Sequence, residues 1–141
     1  KLLEPCFMSA QVEAALCTEE DITALVHQFY AKVLRDPDLG PIFNGHIDDW
    51  PHHLQKLCDF WSGVLLRSGR FSGAPMPKHA ALPGLRADLF HQWLALWRET
   101  AAEQPNQEMA KVAVSGAERI AQSLWMGYQI YGQGKRVPEE L

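Results

Sequence analysis

Cysteine is scarce in this chain: three among 141 residues, at Cys6, Cys17 and Cys58, with no CxxC pair. An odd count without paired spacing argues against a disulfide framework and a zinc ribbon. No run of about 20 apolar residues occurs, so no membrane-spanning helix is expected. Residues 1–9 carry Glu4 and Pro5 and lack a long apolar stretch, so no signal peptide is read there. The reading is a reduced, cytoplasmic protein. Basic runs are missing too. Lys and Arg total 13 against 17 Asp and Glu, a net charge of -4 that is a poor match to nucleic acid or an anionic membrane. Neither HExxH nor a glycine-rich phosphate loop is present. No segment alternates like a strand, and no internal repeat is visible.

What is there is an ordinary apolar content, 47%, and an unusual supply of tryptophan, at 50, 61, 93, 97 and 125. The length suits one domain with a real core. Thr18 with Glu19, Glu20 and Asp21 marks a helix start, because a hydroxyl can cap and acids suit the dipole. Ile22, Leu25, Val26, Phe29 and Val33 then recur at helical spacing until Asp36-Pro37 ends the run. Leu39 to Phe43 reads as a short apolar connector. A second helix starts near Asp48-Asp49, with its stripe through Leu54, Leu57, Cys58, Trp61, Val64 and Leu65. Ser68 to Gly84 holds three glycines and three prolines, and so long an irregular stretch in a compact domain is usually functional or disordered. A third helix spans about Leu85 to Glu103 and a fourth about Gln107 to Tyr131. The division is an extension at 1–17 (with a short helical lead-in at Ala10 to Leu16), a domain at 18–131 and a frayed, flexible tail at 132–141. The fold class is all-α.

Six histidines stand at 27, 46, 52, 53, 79 and 91. Most histidines are structural or lie on the surface. His79 differs, since Gly73-Ala74-Pro75-Met76-Pro77-Lys78 gives its loop no other reason to order, and a metal bond would offset the ordering entropy. The plain alternative is an exposed loop histidine. His53 lies on an apolar flank with Leu57 and Phe60, where it would otherwise be a rim residue. Tyr30 would otherwise be a core-edge tyrosine, and Trp93 a core tryptophan. Together they offer one axial ligand and three polar tips among aromatics, which suits a large flat cofactor.

The ordered series Phe29-Tyr30, Asp36-Pro37-Asp38-Leu39-Gly40-Pro41-Ile42-Phe43, Trp50, His53, Asp59-Phe60-Trp61, Gly73 to His79 and Phe90-His91-Gln92-Trp93 resembles the truncated haemoglobins, and within them the third group. The match covers about residues 18–131. It implies a two-over-two helical sandwich around haem b. It implies that His79 is the proximal iron ligand and Phe43 the ring stacked on the porphyrin. Tyr30, His53 and Trp93 become the distal residues. Leu57, Phe60 and Trp61 become pocket wall, and Met76 and Phe90 join the cofactor contacts. Residues 1–17 extend beyond the pattern, and the connector Asn44 to Asp49 is short.

Neutral imidazole is a good iron ligand, and the opposite face must stay open for a gas. A tyrosine hydroxyl and an indole N–H can both donate to the partial negative charge on bound dioxygen, and each such bond is worth about 1.5–3 kcal/mol, roughly 10–150-fold in retention. The implied function is reversible binding of dioxygen, nitric oxide and carbon monoxide, with nitric oxide or reactive oxygen detoxification as its use and an unidentified reductase as partner. The rival readings are a haem peroxidase or sulfide-handling protein, and a haem-free helical signalling module. His53 is expected to gate ligand entry, with direct iron binding as the competing role.

Overall fold

The structure is a computed structural model that describes residues 15–70 and 84–141. His79 and Met76 lie outside the described residues, as do Cys6 and the lead-in at Ala10 to Ala14. The described residues are all-helical. They form α1 (Glu19–Arg35), α2 (Leu39–Asn44), α3 (Trp50–Leu66), α4 (Ala87–Ala102) and α5 (Gln107–Gly127). A π-helical turn, Tyr128–Gly132, closes the series. Among the described residues no helix is long and apolar enough to cross a membrane.

Helix α1 opens on a reciprocal cap. The Asp21 amide donates to the Thr18 hydroxyl at 3.0 Å and the Thr18 amide to the Asp21 carboxylate at 2.9 Å. Its apolar stripe is fully buried at Ile22, Leu25, Val26, Phe29 and Val33. Each such side chain contributes about 1.5–3 kcal/mol by leaving water. α1 packs on α3 and α4, α4 packs on α5, and α3 closes against α5. That is the two-over-two sandwich, with Trp97 and Phe29 at its centre.

The expected connector at Leu39 to Phe43 is instead a helix. The Asp36 carboxylate accepts the amides of Asp38 and Leu39, both at 2.9 Å, and so caps the turn from outside. Pro41 sits in the first turn, where its missing N–H costs nothing. Gly40 is required by space, since a Cβ there would lie 2.7 Å from the Leu34 carbonyl oxygen. This close approach fixes α2, and with it Phe43, against the end of α1.

The fourth sequence helix ends early, at Gly127, and continues as the π-helical turn. The segment from Gln133 to Leu141 is mostly exposed, yet it is tied back rather than frayed. Buried Gln129 accepts the Glu139 amide at 2.9 Å and donates to the Glu139 carbonyl at 2.7 Å, and the Leu141 amide reaches Gln122 at 3.0 Å. Satisfying both polar ends of a buried glutamine offsets its desolvation.

Candidate functional site

Phe29 and Tyr30, adjacent on α1, turn the aromatic residues into one connected cluster. Tyr30 is 5% exposed. Its ring meets Phe43 of α2 edge-on at 5.6 Å, and Trp50 and His53 at the start of α3 at 6.1 and 6.4 Å. The His53 ring is also edge-on to Trp50, at 5.6 Å. Helix α3 starts where it does because the Asp49 carboxylate accepts the His52 amide at 3.1 Å and Pro51 occupies the first turn. Trp50 is held from the short connector by its indole N–H, which donates to Asn44 at 3.2 Å.

Trp93 of α4 completes this face. Burial pushes the Tyr30 hydroxyl above the usual phenol range, against the hydrogen bond that Trp93 makes to it. An indole nitrogen can only donate. Trp93 therefore offers the Tyr30 hydroxyl a donor and takes no proton from it. Neighbouring Gln92 fixes the register of α4 here. Its amide donates to both Asp36 oxygens, at 2.9 and 3.1 Å, and to Asp38 at 3.1 Å.

Of the sequence-nominated residues, Tyr30, Phe43, His53 and Trp93 come together in this cluster. Leu57, Phe60 and Trp61 lie further along α3, half-buried except for Trp61, which is buried at 2%. Phe60 meets Trp61 edge-on at 5.7 Å. Phe90 lies apart from them, against Trp125 of α5 at 5.6 Å. His27, His46, His52 and His91 are exposed, whereas His53 is half-buried.

The chain on either side of 71–83 is anchored. Before it, Arg70 grips Glu19 through two bonds of 2.9 Å and Asp59 at 3.1 Å. After it, the buried Leu85 amide donates to the Tyr128 hydroxyl at 3.2 Å. Neither tie was nominated by the sequence, where Arg70 reads as a loop charge and Tyr128 as one more residue on an apolar face. Trp125 was also missed. Its ring stacks on Tyr128 at 6.0 Å, and its buried indole N–H has no acceptor among the described residues.

A buried phenol, next to an indole donor and a half-buried imidazole, is a donor set suited to a small electron-rich ligand. The chain is 40% identical over 107 residues to group 3 truncated hemoglobin ctb of Campylobacter jejuni, covering 73% of this chain and 84% of that protein. It belongs to the group III truncated haemoglobins. The crystal structure of the group III truncated hemoglobin from Campylobacter jejuni superposes with a TM-score of 0.74 at 37% identity, covering 85% of this chain and 96% of that one. No family model matches the chain. The family implies haem, and the donor set fits it, because iron-bound gases present a partly negative outer atom to the distal side.

Proposed function

We propose that the protein holds haem b and binds dioxygen and other diatomic gases reversibly. His79 would be the iron ligand, with Phe43, Leu57, Phe60, Trp61, Met76 and Phe90 around the porphyrin. The group supplies ferrous iron with an open coordination position. The chain supplies the rest. Tyr30 would donate its hydroxyl proton to the ligand. Trp93, whose indole N–H can only donate, would stand beside it as a second donor. Phe43, Trp50 and Phe29 exclude water around the pair, which strengthens each polar contact. His53, edge-on to Tyr30 and Trp50, stands at the rim and gates entry.

The gathering of Tyr30, Phe43, His53 and Trp93 from four helices into one aromatic cluster is the observation that carries this reading. A directed donor retains the ligand, and long retention suits chemistry on the ligand, such as removal of nitric oxide or reactive oxygen species, better than transport. An unidentified reductase would restore the ferrous state. A visible spectrum of the purified chain tests the cofactor, because a haem-free signalling module is colourless. His79→Ala should lose haem, or regain it only with added imidazole. A variant that keeps the parent's five-coordinate ferrous spectrum would remove His79 from the role.

A further inference from the structure

Three tryptophans form a continuous stack from the Tyr30 cluster into the core. Trp93 lies parallel to Trp97, with centroids 5.9 Å apart and planes 9° apart. Trp97 lies parallel to Trp61, at 4.4 Å and 20°. Trp93 and Trp97 share a face of α4 by their four-residue spacing, but Trp61 comes from α3. At one end Trp93 joins the Tyr30 cluster through Phe29, which both rings meet edge-on. At the other, Trp61 lies beneath Gly116 of α5. A Cβ at Gly116 would sit 3.5 Å from Trp61 Cζ3 and 3.9 Å from the Arg119 guanidinium. Ser115 and Arg119 beside it are exposed. Gly116 is itself buried, and Val64 Cγ1 would lie nearer that Cβ, at 3.2 Å, so the indole ends one helix layer in from the exposed face of α5.

We propose that Trp93, Trp97 and Trp61 relay electrons from the α3–α5 seam at Gly116 to the pocket when a hydroperoxide is reduced there. The proposal rests on the haem reading, which places that reduction beside Trp93. Hydrogen peroxide takes up two electrons and two protons, its O–O bond breaks, and two waters form. The protons come from solvent. The electrons leave the indole π system of Trp93 one at a time. Trp97 refills Trp93, and Trp61 refills Trp97. The Trp97 N–H donates to the Ala113 carbonyl at 3.1 Å. A carbonyl is no base, so Trp97 keeps its proton and passes the deficit on as a radical cation. The deficit reaches Trp61, which is buried, and a soluble one-electron reductant of the ascorbate class fills it from the exposed face of α5 at Ser115 and Arg119, across one helix layer. Phe29 touches Trp93 and Trp97 edge-on, at 5.4 and 4.8 Å. A phenyl ring is much harder to oxidise than indole, so it holds the stack without offering a branch.

The test uses the haem-loaded full chain, with loading read first from the visible spectrum. A colourless protein sinks the haem reading. A coloured protein whose tryptophans stay unoxidised sinks the relay alone. Hydrogen peroxide is added without reductant, and freeze-quenched electron paramagnetic resonance and peptide mass mapping follow the outcome. The parent should show a tryptophanyl radical and oxygenated Trp61, and ascorbate should suppress both. Trp97→Phe keeps an aromatic ring in the core but breaks the chain, so oxidation should leave Trp61 and collect on Trp93. Trp61→Phe, which leaves Trp97 intact, should move the mark to Trp97 and Trp93. Trp125 lies outside the stack and should stay unmarked throughout. Equal Trp61 oxidation in the parent and Trp97→Phe would overturn the relay, as would Trp125 oxidised as heavily as the stacked three.

Discussion

Replacing Tyr30 with phenylalanine separates the two distal donors. The ring volume is kept, so the packing with Phe29 at 4.7 Å and Phe43 at 5.6 Å should survive. What goes is one hydroxyl. A hydrogen bond to a charged or strongly polarised acceptor is worth about 1.5–3 kcal/mol, which alone would speed dioxygen release by roughly 10–150-fold. The structure lowers that figure. Trp93 brings a second donor, its indole N–H, to the same cluster, and Tyr30→Phe leaves it in place. A remaining donor recovers part of the loss, so the expected acceleration lies at the lower end, about tenfold. Trp93→Phe acts differently, since it leaves the Tyr30 proton in place and removes the indole N–H. The two residues act on one ligand, so their effects should not add. Stopped-flow release of dioxygen from the reduced, haem-loaded parent, both single variants and the double variant measures these effects. If Tyr30→Phe releases dioxygen at the parent's rate, the hydroxyl does not point at the ligand. If the double variant equals the sum of the singles, the two residues do not act on one ligand. Alkaline pH supplies a second check. Burial raises the Tyr30 pKa, so its donor persists, and its stabilisation is fully present, below the unfolded value of about 10. That contribution is lost only as pH rises beyond it. Tyrosinate absorbance in the parent and Tyr30→Phe should therefore coincide until that range.

Helix placement followed from periodicity because one-sided burial leaves a 3.6-residue record: the stripe Ile22 to Val33 is both pattern and core. Helix α2 left no such record. Six residues with a proline and a glycine are too short to show a period, and the helix is specified by a side chain outside it, Asp36, and by contact with Leu34. The tail escaped for a similar reason. Gln129 looks like any polar residue, and only tertiary structure shows it buried against Glu139. That Tyr30, Phe43, His53 and Trp93 come together was suggested by family resemblance rather than by spacing, since they lie on four different helices. What resemblance did not supply is direction. That Trp93 lies parallel to Trp97, and Trp97 to Trp61 across two helices, are facts of packing angle, to which one-dimensional pattern is blind.

Three further outcomes are expected. Tyr128→Phe orphans the buried Leu85 amide and should cost about 1–3 kcal/mol in urea unfolding; an unchanged midpoint would mean that water or another group takes the bond. His53→Ala should speed ligand entry and leave the ligand-free ferrous spectrum five-coordinate as in the parent, whereas a parent that is six-coordinate and becomes five-coordinate in the variant would show His53 on the iron. Asp36→Asn attacks the cap that builds α2. Burial disfavours the Asp36 charge, but the Leu39 amide, the Gln92 side chain and the Asp38 amide outweigh it and hold the carboxyl below its ordinary value. A depressed folded value contributes stability above the unfolded pKa of about 3.9 and loses it as pH falls through the folded one. The asparagine amide would also face the Gln92 amide, donor against donor. The variant should lose about 1–2 kcal/mol at neutral pH, a fall of roughly 3–8 °C in melting temperature for a domain of this size. The gap should narrow below about pH 4, where the parent's carboxyl takes up its proton. Thermal melts at neutral pH and at acid pH measure both quantities. A gap that stays constant as the pH falls would show that the Asp36 charge contributes nothing and that shape alone holds α2 and Phe43 in place.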